Sequence, residues 1–198
     1  MQDEPDPPRM FPLMLDLSRA TVFIIGAGYS LAARLSAMED YGAATIRIFA
    51  ADPSADAVAL AGSRLVARWP TPADFAALHP RVVFIADIDD AAAAQWRTMA
   101  HTCGALVHVQ DRIPLTDFYL PAILRRGRLQ ISVSTDGTAA GLSRLLRDHL
   151  AARVFGPEWA DRVAEVAAAR LGWKREGLSF TKLSEAVAGL IRERGWLK

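Results

Sequence analysis

The stretch TVFIIGAGYSLAARL, residues 21–35, decides the fold. Its first five residues are apolar and mostly β-branched, as suits a strand buried on both faces of a parallel sheet. They run into G-A-G. Leu31, Leu35 and Met38 then recur at three- and four-residue steps, the period of a helix with one buried face, and Gly42 can cap it. Strand, glycine turn and helix in that order open a dinucleotide-binding βαβ unit. Gly26 lets the chain turn sharply at the strand end, and Gly28 lets backbone come close to a pyrophosphate. Ala27, Tyr29 and Ser30 complete the loop before the helix N-terminus, whose free amides and dipole favour an anion. The fingerprint wants a small residue five positions after its first glycine, where this chain has Leu31. On the loop alone two readings stand: a nucleotide cradle, or the turn of a doubly wound sheet that binds none.

Further along the chain the same rhythm repeats. ATIRIFA (44–50), RLVARW (64–69), RVVFIADI (81–88) and ALVHVQD (105–111) read as strands. Between them lie a weak helix from Asp56, a short helix over 71–79 started by Thr71 or Asp74, and an Ala-rich helix over 89–104. Alternating strands and helices predict a Rossmann-like doubly wound parallel α/β sheet. The rhythm changes after Asp111. FYLPAILRRG (118–127) and RLQISVST (128–135) read as two strands joined by a turn at Arg126-Gly127, followed by a helix over 139–154. This small α+β region has open edges and little to bury by itself, which favours packing against a second copy of the chain. The tail reads as two amphipathic helices. The domains expected are therefore 1–111, Rossmann-like and dinucleotide-binding, 112–150, a dimerisation region, and 151–198, a helical C-terminal domain. Residues 1–10 read as a flexible lead and FPLMLDLS (11–18) as a short extended piece.

Composition narrows the function classes. The 198 residues are 52% hydrophobic and 23% charged, a soluble globular balance that fits one medium domain with a smaller appendage. A net charge of +1 creates no field to draw in nucleic acid or an anionic membrane. Cys103 is the single cysteine, so an intramolecular disulfide or a Cys-based zinc site within one chain is excluded; it reads as a small buried hydrophobe. MQDEPDPPRMFP lacks the basic and apolar regions of a secretion signal, and no apolar run approaches the ~20 residues of a membrane helix. The expectation is a cytoplasmic protein.

The candidate site residues fall at strand ends. Ligands of an open α/β sheet bind along the carboxyl ends of its strands. Asp52, 24 residues past Gly28, stands where an acidic residue takes the adenosine ribose hydroxyls, or it starts a turn and caps the helix after it. Ala86 and Asp87 border the same crevice, and Asp89 or Asp90 caps the Ala-rich helix. Asp111 is placed to act as a general base or to hold a cation with His108, or it is a strand-end turn residue with His108 at a surface or subunit contact. Strand alternation puts His108 and Gln110 on one face, Val109 and Asp111 on the other. SVSTDGTAAG (132–141) is a hydroxyl- and Gly-rich turn whose amides suit the carboxylates of an anionic ligand, or a plain N-cap by Thr138 or Asp136.

In this order the pieces resemble the precorrin-2 dehydrogenase/sirohydrochlorin ferrochelatase family, which includes the N-terminal module of bifunctional sirohaem synthases. FPLMLDLSRATVFIIGAG is similar to the family's F-P-L-x-L-D-L, strand and G-G-G. VFIADIDDAAAAQWRTMAHTCGALVHVQD is similar to its I-A-A-T-D-D segment running to N-V-V-D, and DFYLPAILRRGRLQISVSTDGTAAGLSRLLRDHL to its F-x-x-P-A block with S-T-G-G. The resemblance covers about residues 11 to 150. It implies NAD-dependent oxidation of precorrin-2 to sirohydrochlorin and, in many members, insertion of ferrous iron; cobalt is a further candidate. It implies a homodimer joined through the region after the Rossmann domain. The family's key aspartate falls on Asp111. Its serine-rich turn falls on Ser134, Thr135, Asp136 and Gly137, beside the tetrapyrrole, with His108 in place of its asparagine. Leu31, Asp87, Ala93, Asp136 and Ala140 depart from the family pattern, and Asp87 and Asp136 add carboxylates where it is neutral. Arg112, Arg125, Arg126, Arg128 and Arg144 are candidates to offset them. A non-catalytic tetrapyrrole carrier, sensor or assembly protein on the same frame is the alternative these departures raise.

Overall fold

The structure, a computed structural model, describes residues 10–197. Apart from Met10, the expected flexible lead lies outside them. The piece expected to be extended forms no strand: the chain enters a 3-10 turn at Leu17–Arg19, where Asp16 accepts the Ser18 amide.

Five parallel strands follow in the spatial order β3-β2-β1-β4-β5. They are β1 (Thr21–Ile25), β2 (Thr45–Phe49), β3 (Leu65–Val66), β4 (Val82–Ile85) and β5 (Leu106–Val109). The helices between them are α1 (Leu31–Asp40), α2 (Ala55–Ala61), α3 (Pro72–Leu78) and α4 (Asp90–Thr102). Side chains alternate across the sheet, so each strand feeds two cores. Val22, Ile24, Ile48 and Phe84 meet Leu31, Leu35 and Met38 of α1 and Ala57 and Ala61 of α2. Phe23, Ile25, Phe49 and Val83 meet Phe75 of α3 and Ala93, Trp96 and Ala100 of α4. The switch from one helical layer to the other falls between β1 and β4, and there the strand ends open into a crevice.

The strand expected over 64–69 contracts to Leu65–Val66. A 3-10 turn at Gly62–Arg64 precedes it, and the Arg68 amide folds back onto the Val66 carbonyl after it. Arg68 then forms a two-pronged ion pair with Asp74, at 2.7 and 2.8 Å, whose carboxylate also completes a capping box with Thr71. That pairing holds the Asp74 carboxyl far below the usual carboxylate range.

The chain divides into two compact units, the first ending at Tyr119. Residues 112–119, grouped with the second region from sequence, stay with the first because they run back along β5. Asp117 exchanges backbone hydrogen bonds with Val107, its carboxylate accepting the Val107 amide and its own amide reaching the Val107 carbonyl. The second unit holds an antiparallel hairpin of β6 (Ala122–Arg126) and β7 (Leu129–Val133). Helices α5 (Ala140–Arg153), α6 (Trp159–Arg175) and α7 (Phe180–Arg194) complete it. The Arg162 guanidinium lies 5.0 Å from the Trp159 ring and 5.6 Å from that of Trp196, tying the end of the chain to α6 by cation–π attraction. Among the described residues no helix is long and apolar enough to cross a membrane.

Candidate functional site

The glycine loop is built by close backbone packing. Gly26 has φ +104°, and its amide donates to the Phe49 carbonyl at 2.9 Å. A Cβ at this position would lie 1.9 Å from the Ala86 carbonyl oxygen, so no other residue fits between the ends of β2 and β4. Leu31 does not stand in the loop as a bulky intruder. It is the first residue of α1, 2% exposed, and joins the core beneath the helix. Ser30 precedes α1 without capping it; its hydroxyl donates to Asp87 Oδ2 at 2.8 Å. The same carboxylate lies against the bare Cα of Gly28, where a Cβ would meet it at 2.6 Å.

Asp87 and Asp111, at the ends of β4 and β5, both adopt left-handed backbone, with φ of 59° and 58°. Non-glycine residues held there concentrate at functional sites, and aspartate tolerates the conformation best after asparagine and glycine. Gln110 donates to the Tyr29 hydroxyl and so bridges the loop to the end of β5. Arg112 staples the two strand ends from outside, pairing with Asp90 and donating to the Ile88 carbonyl at 2.9 Å. It neutralises Asp90 rather than Asp87.

Arg34, at the end of the first turn of α1, is the residue that sequence reasoning missed. Its guanidinium lies 5.2 Å from the Phe84 ring centroid and donates to His108 Nε2 at 3.2 Å. Burial lowers its pKa, while Asp111, Asp87 and Tyr29 favour its charge, so it is the cation set among these groups. His108 is half-buried between Phe84 and Phe118, not at the surface. Its Nδ1 donates to the Phe118 carbonyl at 3.0 Å, so Nε2 carries the lone pair that Arg34 meets. Burial, aided by Arg34, pushes the His108 pKa down and keeps the ring neutral. Both ring nitrogens are engaged, and a metal ion would have to displace Arg34 to share His108 with Asp111. Among the described residues no group of three or more His, Cys, Asp or Glu side chains could hold a metal.

The remaining sites resolve into structure or crevice. Asp52 does not cap α2; Ser54 does, accepting the Ala57 amide at 3.2 Å, and Asp52 lines the crevice instead. Asp89 caps α4 through the Ala92 amide at 2.8 Å. In the second unit neither Thr138 nor Asp136 caps α5. Thr135 Oγ1 takes the Ala139 amide at 3.1 Å and pairs with Ser143 Oγ at 3.0 Å. Ser134 Oγ accepts the Asp136 amide, and Asp136 and Gly137 turn at positive φ.

Asp117 braces the β5 side of the first unit. Burial disfavours its charge, but His101 at 2.7 Å, the Val107 amide and Arg97 outweigh that and hold its pKa below the ordinary value. Asp117→Asn is expected to cost about 1–3 kcal/mol at neutral pH, the loss from a part-buried charged hydrogen-bond centre. A depressed folded pKa stabilises fully above the unfolded value, about 4, and is lost as acid protonates the native carboxylate. The gap between the thermal melts of the two proteins should therefore narrow as pH falls from about 4 through the lowered native value; a gap that does not change with pH would contradict the assignment.

The crevice in front of the loop has a volume of about 900 Å³ and is walled by Gly26–Gly28, Asp52, Asp87 and the start of α4. A family model described as putative NAD(P)-binding matches residues 13–122, more than half of the chain. A second, described as "Sirohaem biosynthesis protein central", matches residues 126–153. The chain belongs to the precorrin-2 dehydrogenase/sirohydrochlorin ferrochelatase family. Curated members of this family similar to it include a sirohaem synthase of Neisseria meningitidis serogroup C (strain 053442), 34% identical over 72% of the chain and 30% of the relative. Another is the sirohaem synthase of Methylococcus capsulatus (strain ATCC 33009 / NCIMB 11132 / Bath), 34% identical over 70% of the chain and 29% of the relative. The chain thus spans about 30% of the length of these relatives. Among solved structures it is similar to "SirC, precorrin-2 dehydrogenase", with a TM-score of 0.71 and 21% identity over 96% of this chain and 93% of that one, a likeness of fold.

Proposed function

We propose that this protein oxidises precorrin-2 to sirohydrochlorin with NAD as hydride acceptor. The observation that carries the reading is the placement of Asp111: a carboxylate in left-handed backbone at the end of β5, joined through Gln110 and Tyr29 to the glycine loop. The residues present fit a dinucleotide. Gly26 and Gly28 form the cradle, the crevice is large enough, and Asp52 stands where ribose hydroxyls are taken. Asp87 is exposed, so a change of rotamer swings its carboxylate away from Gly28, while its Cβ stays against the glycine.

NAD, when bound, supplies the acceptor for the hydride. The chain does the rest. Asp111 would take the proton released as precorrin-2 is oxidised and pass it to water, while the hydride, with both electrons and the other hydrogen nucleus, is what bound NAD would accept. Arg34 places a fixed positive charge among Asp111 and Asp87, which limits the mutual repulsion of the carboxylates in the site. The Ser134–Gly137 turn is assigned to the tetrapyrrole and the second unit to homodimer formation. The latter is supported by Leu142, Leu145 and Leu146, exposed at helical spacing on α5. A cytoplasmic location goes with this reading. Insertion of ferrous iron or cobalt, as substrate metals, belongs to Asp111 if it occurs, because His108 is committed to Arg34 and Phe118.

Purified protein with precorrin-2 and NAD should develop sirohydrochlorin absorbance; none, beside an active family member, overturns the reading. NADP should bind at least tenfold more weakly than NAD, because a 2′-phosphate would face Asp52. A second reading rests on Asp87 against Gly28: a non-catalytic tetrapyrrole carrier or sensor, whose loop no longer admits a pyrophosphate. Calorimetry separates the two, micromolar NAD binding favouring the enzyme and no binding at millimolar NAD the carrier.

A further inference from the structure

The crevice has an aromatic wall that the glycine loop and Asp111 do not use. Trp69 follows β3, and Trp96 lies on the second turn of α4; both line the cavity, with ring centroids 6.4 Å apart and planes 36° from parallel. Trp69 is 39% exposed and lines the cavity, so part of its surface is accessible to a ligand. Trp96 is 8% exposed, and its indole Nε1 is a buried donor with no hydrogen-bond partner.

The Trp69 loop is also fixed before any ligand arrives. Arg68, clamped by Asp74, donates to the Trp69 carbonyl at 3.0 Å, and its guanidinium lies 5.8 Å from the Phe49 ring. A loop backbone held in place loses less entropy when a flat group stacks on the side chain it carries. The charged residues lining the cavity are Asp52, Asp56, Asp87 and Asp89, all acidic. Beside these carboxylates the Trp69 end suits a neutral group, such as the purine of a dinucleotide, better than the carboxylates of a tetrapyrrole; the pyrophosphate belongs at the glycine loop and the α1 N-terminus.

We propose that Trp69 and Trp96 form the adenine seat of the crevice: adenine stacks on the exposed Trp69 ring, with Trp96 as the inner part of the same aromatic wall. The proposal rests on NAD as the cofactor and deepens that reading. It makes base stacking, rather than the glycine loop alone, the anchor for the adenosine half.

The test is calorimetric titration of the full chain with NAD, ADP-ribose and nicotinamide mononucleotide. Trp69→Leu should weaken NAD and ADP-ribose alike by about tenfold, the scale of one lost base–aromatic stack. It should leave nicotinamide mononucleotide within twofold, and Trp69→Phe should restore most of the loss. Trp69 lies on the surface, and an unchanged melting temperature checks that the variants fold. NAD and ADP-ribose binding that is tight in the wild-type protein and within twofold in Trp69→Leu overturns the adenine seat while leaving the NAD reading intact. Wild-type protein that binds neither overturns both.

Discussion

Asp111→Asn should lower kcat/KM for precorrin-2 oxidation by at least about a hundredfold, the range for loss of a positioned proton acceptor. NAD affinity and melting temperature should stay at wild-type values. Asparagine is the informative replacement because Asp111 sits at φ 58°, where alanine would add backbone strain to the chemical loss. The amide keeps the turn, the size and a hydrogen-bonding group toward Gln110, and removes only the capacity to take a proton. If the rate is unchanged, Asp111 is a turn residue and the base lies elsewhere. The companion Arg34→Met change separates charge from base: it removes the cation among Asp111 and Asp87 but leaves Asp111 intact.

Gly26→Ala should be the most destructive single methyl group in the first unit. Its Cβ would sit 1.9 Å from the Ala86 carbonyl oxygen and 3.0 Å from the carbonyl carbon, both backbone, with φ at +104°. Strain of about 1–3 kcal/mol for the dihedral and a similar cost for prying apart the ends of β1 and β4 put the loss at roughly 2–6 kcal/mol. That corresponds to a fall in melting temperature of roughly 10 °C for a chain of this size, with NAD binding lost. Gly62→Ala is the matched control. Gly62 has φ +55° and ψ −134° but nothing within 4 Å of the added carbon, so only the dihedral cost of about 1–3 kcal/mol applies. Equal melting of the two variants would show that the loop is not packed against Ala86 as described.

The sheet was legible in the sequence because its central strands carry their burial in their own composition. β1 and β4 are covered on both faces and read as unbroken apolar runs, and the glycines after β1 mark its exit without any knowledge of neighbours. What escaped reading depends on partners distant in sequence. β3 shortens because Arg68 finds Asp74. Asp117 stays with β5 because His101 and Arg97 come from α4. Arg34 looks like an ordinary solvated residue in a helix pattern; only the arrival of His108, 74 positions later, makes it part of the site. Leu31 departs from the small residue of the motif, and the structure shows where the larger side chain goes: into the core beneath α1. Trp69 and Trp96 carried no motif at all, and only the folding of α4 beside the end of β3 brings their rings together.

The segment running back along β5 has a consequence for how these molecules behave in a crowd. Thr116 Oγ1 takes the Val109 amide at 3.1 Å and Asp117 takes that of Val107 at 2.9 Å, so side-chain oxygens occupy donors on the outer rim of the terminal strand. At the other margin β3 offers only two residues. A sheet finished in this way gives a foreign strand little to template on, and intermolecular sheet growth is blocked at one border by plugging and at the other by brevity. Cutting the Thr116 and Asp117 oxygens away would reopen the Val107 and Val109 amides as donors for a strand from another molecule.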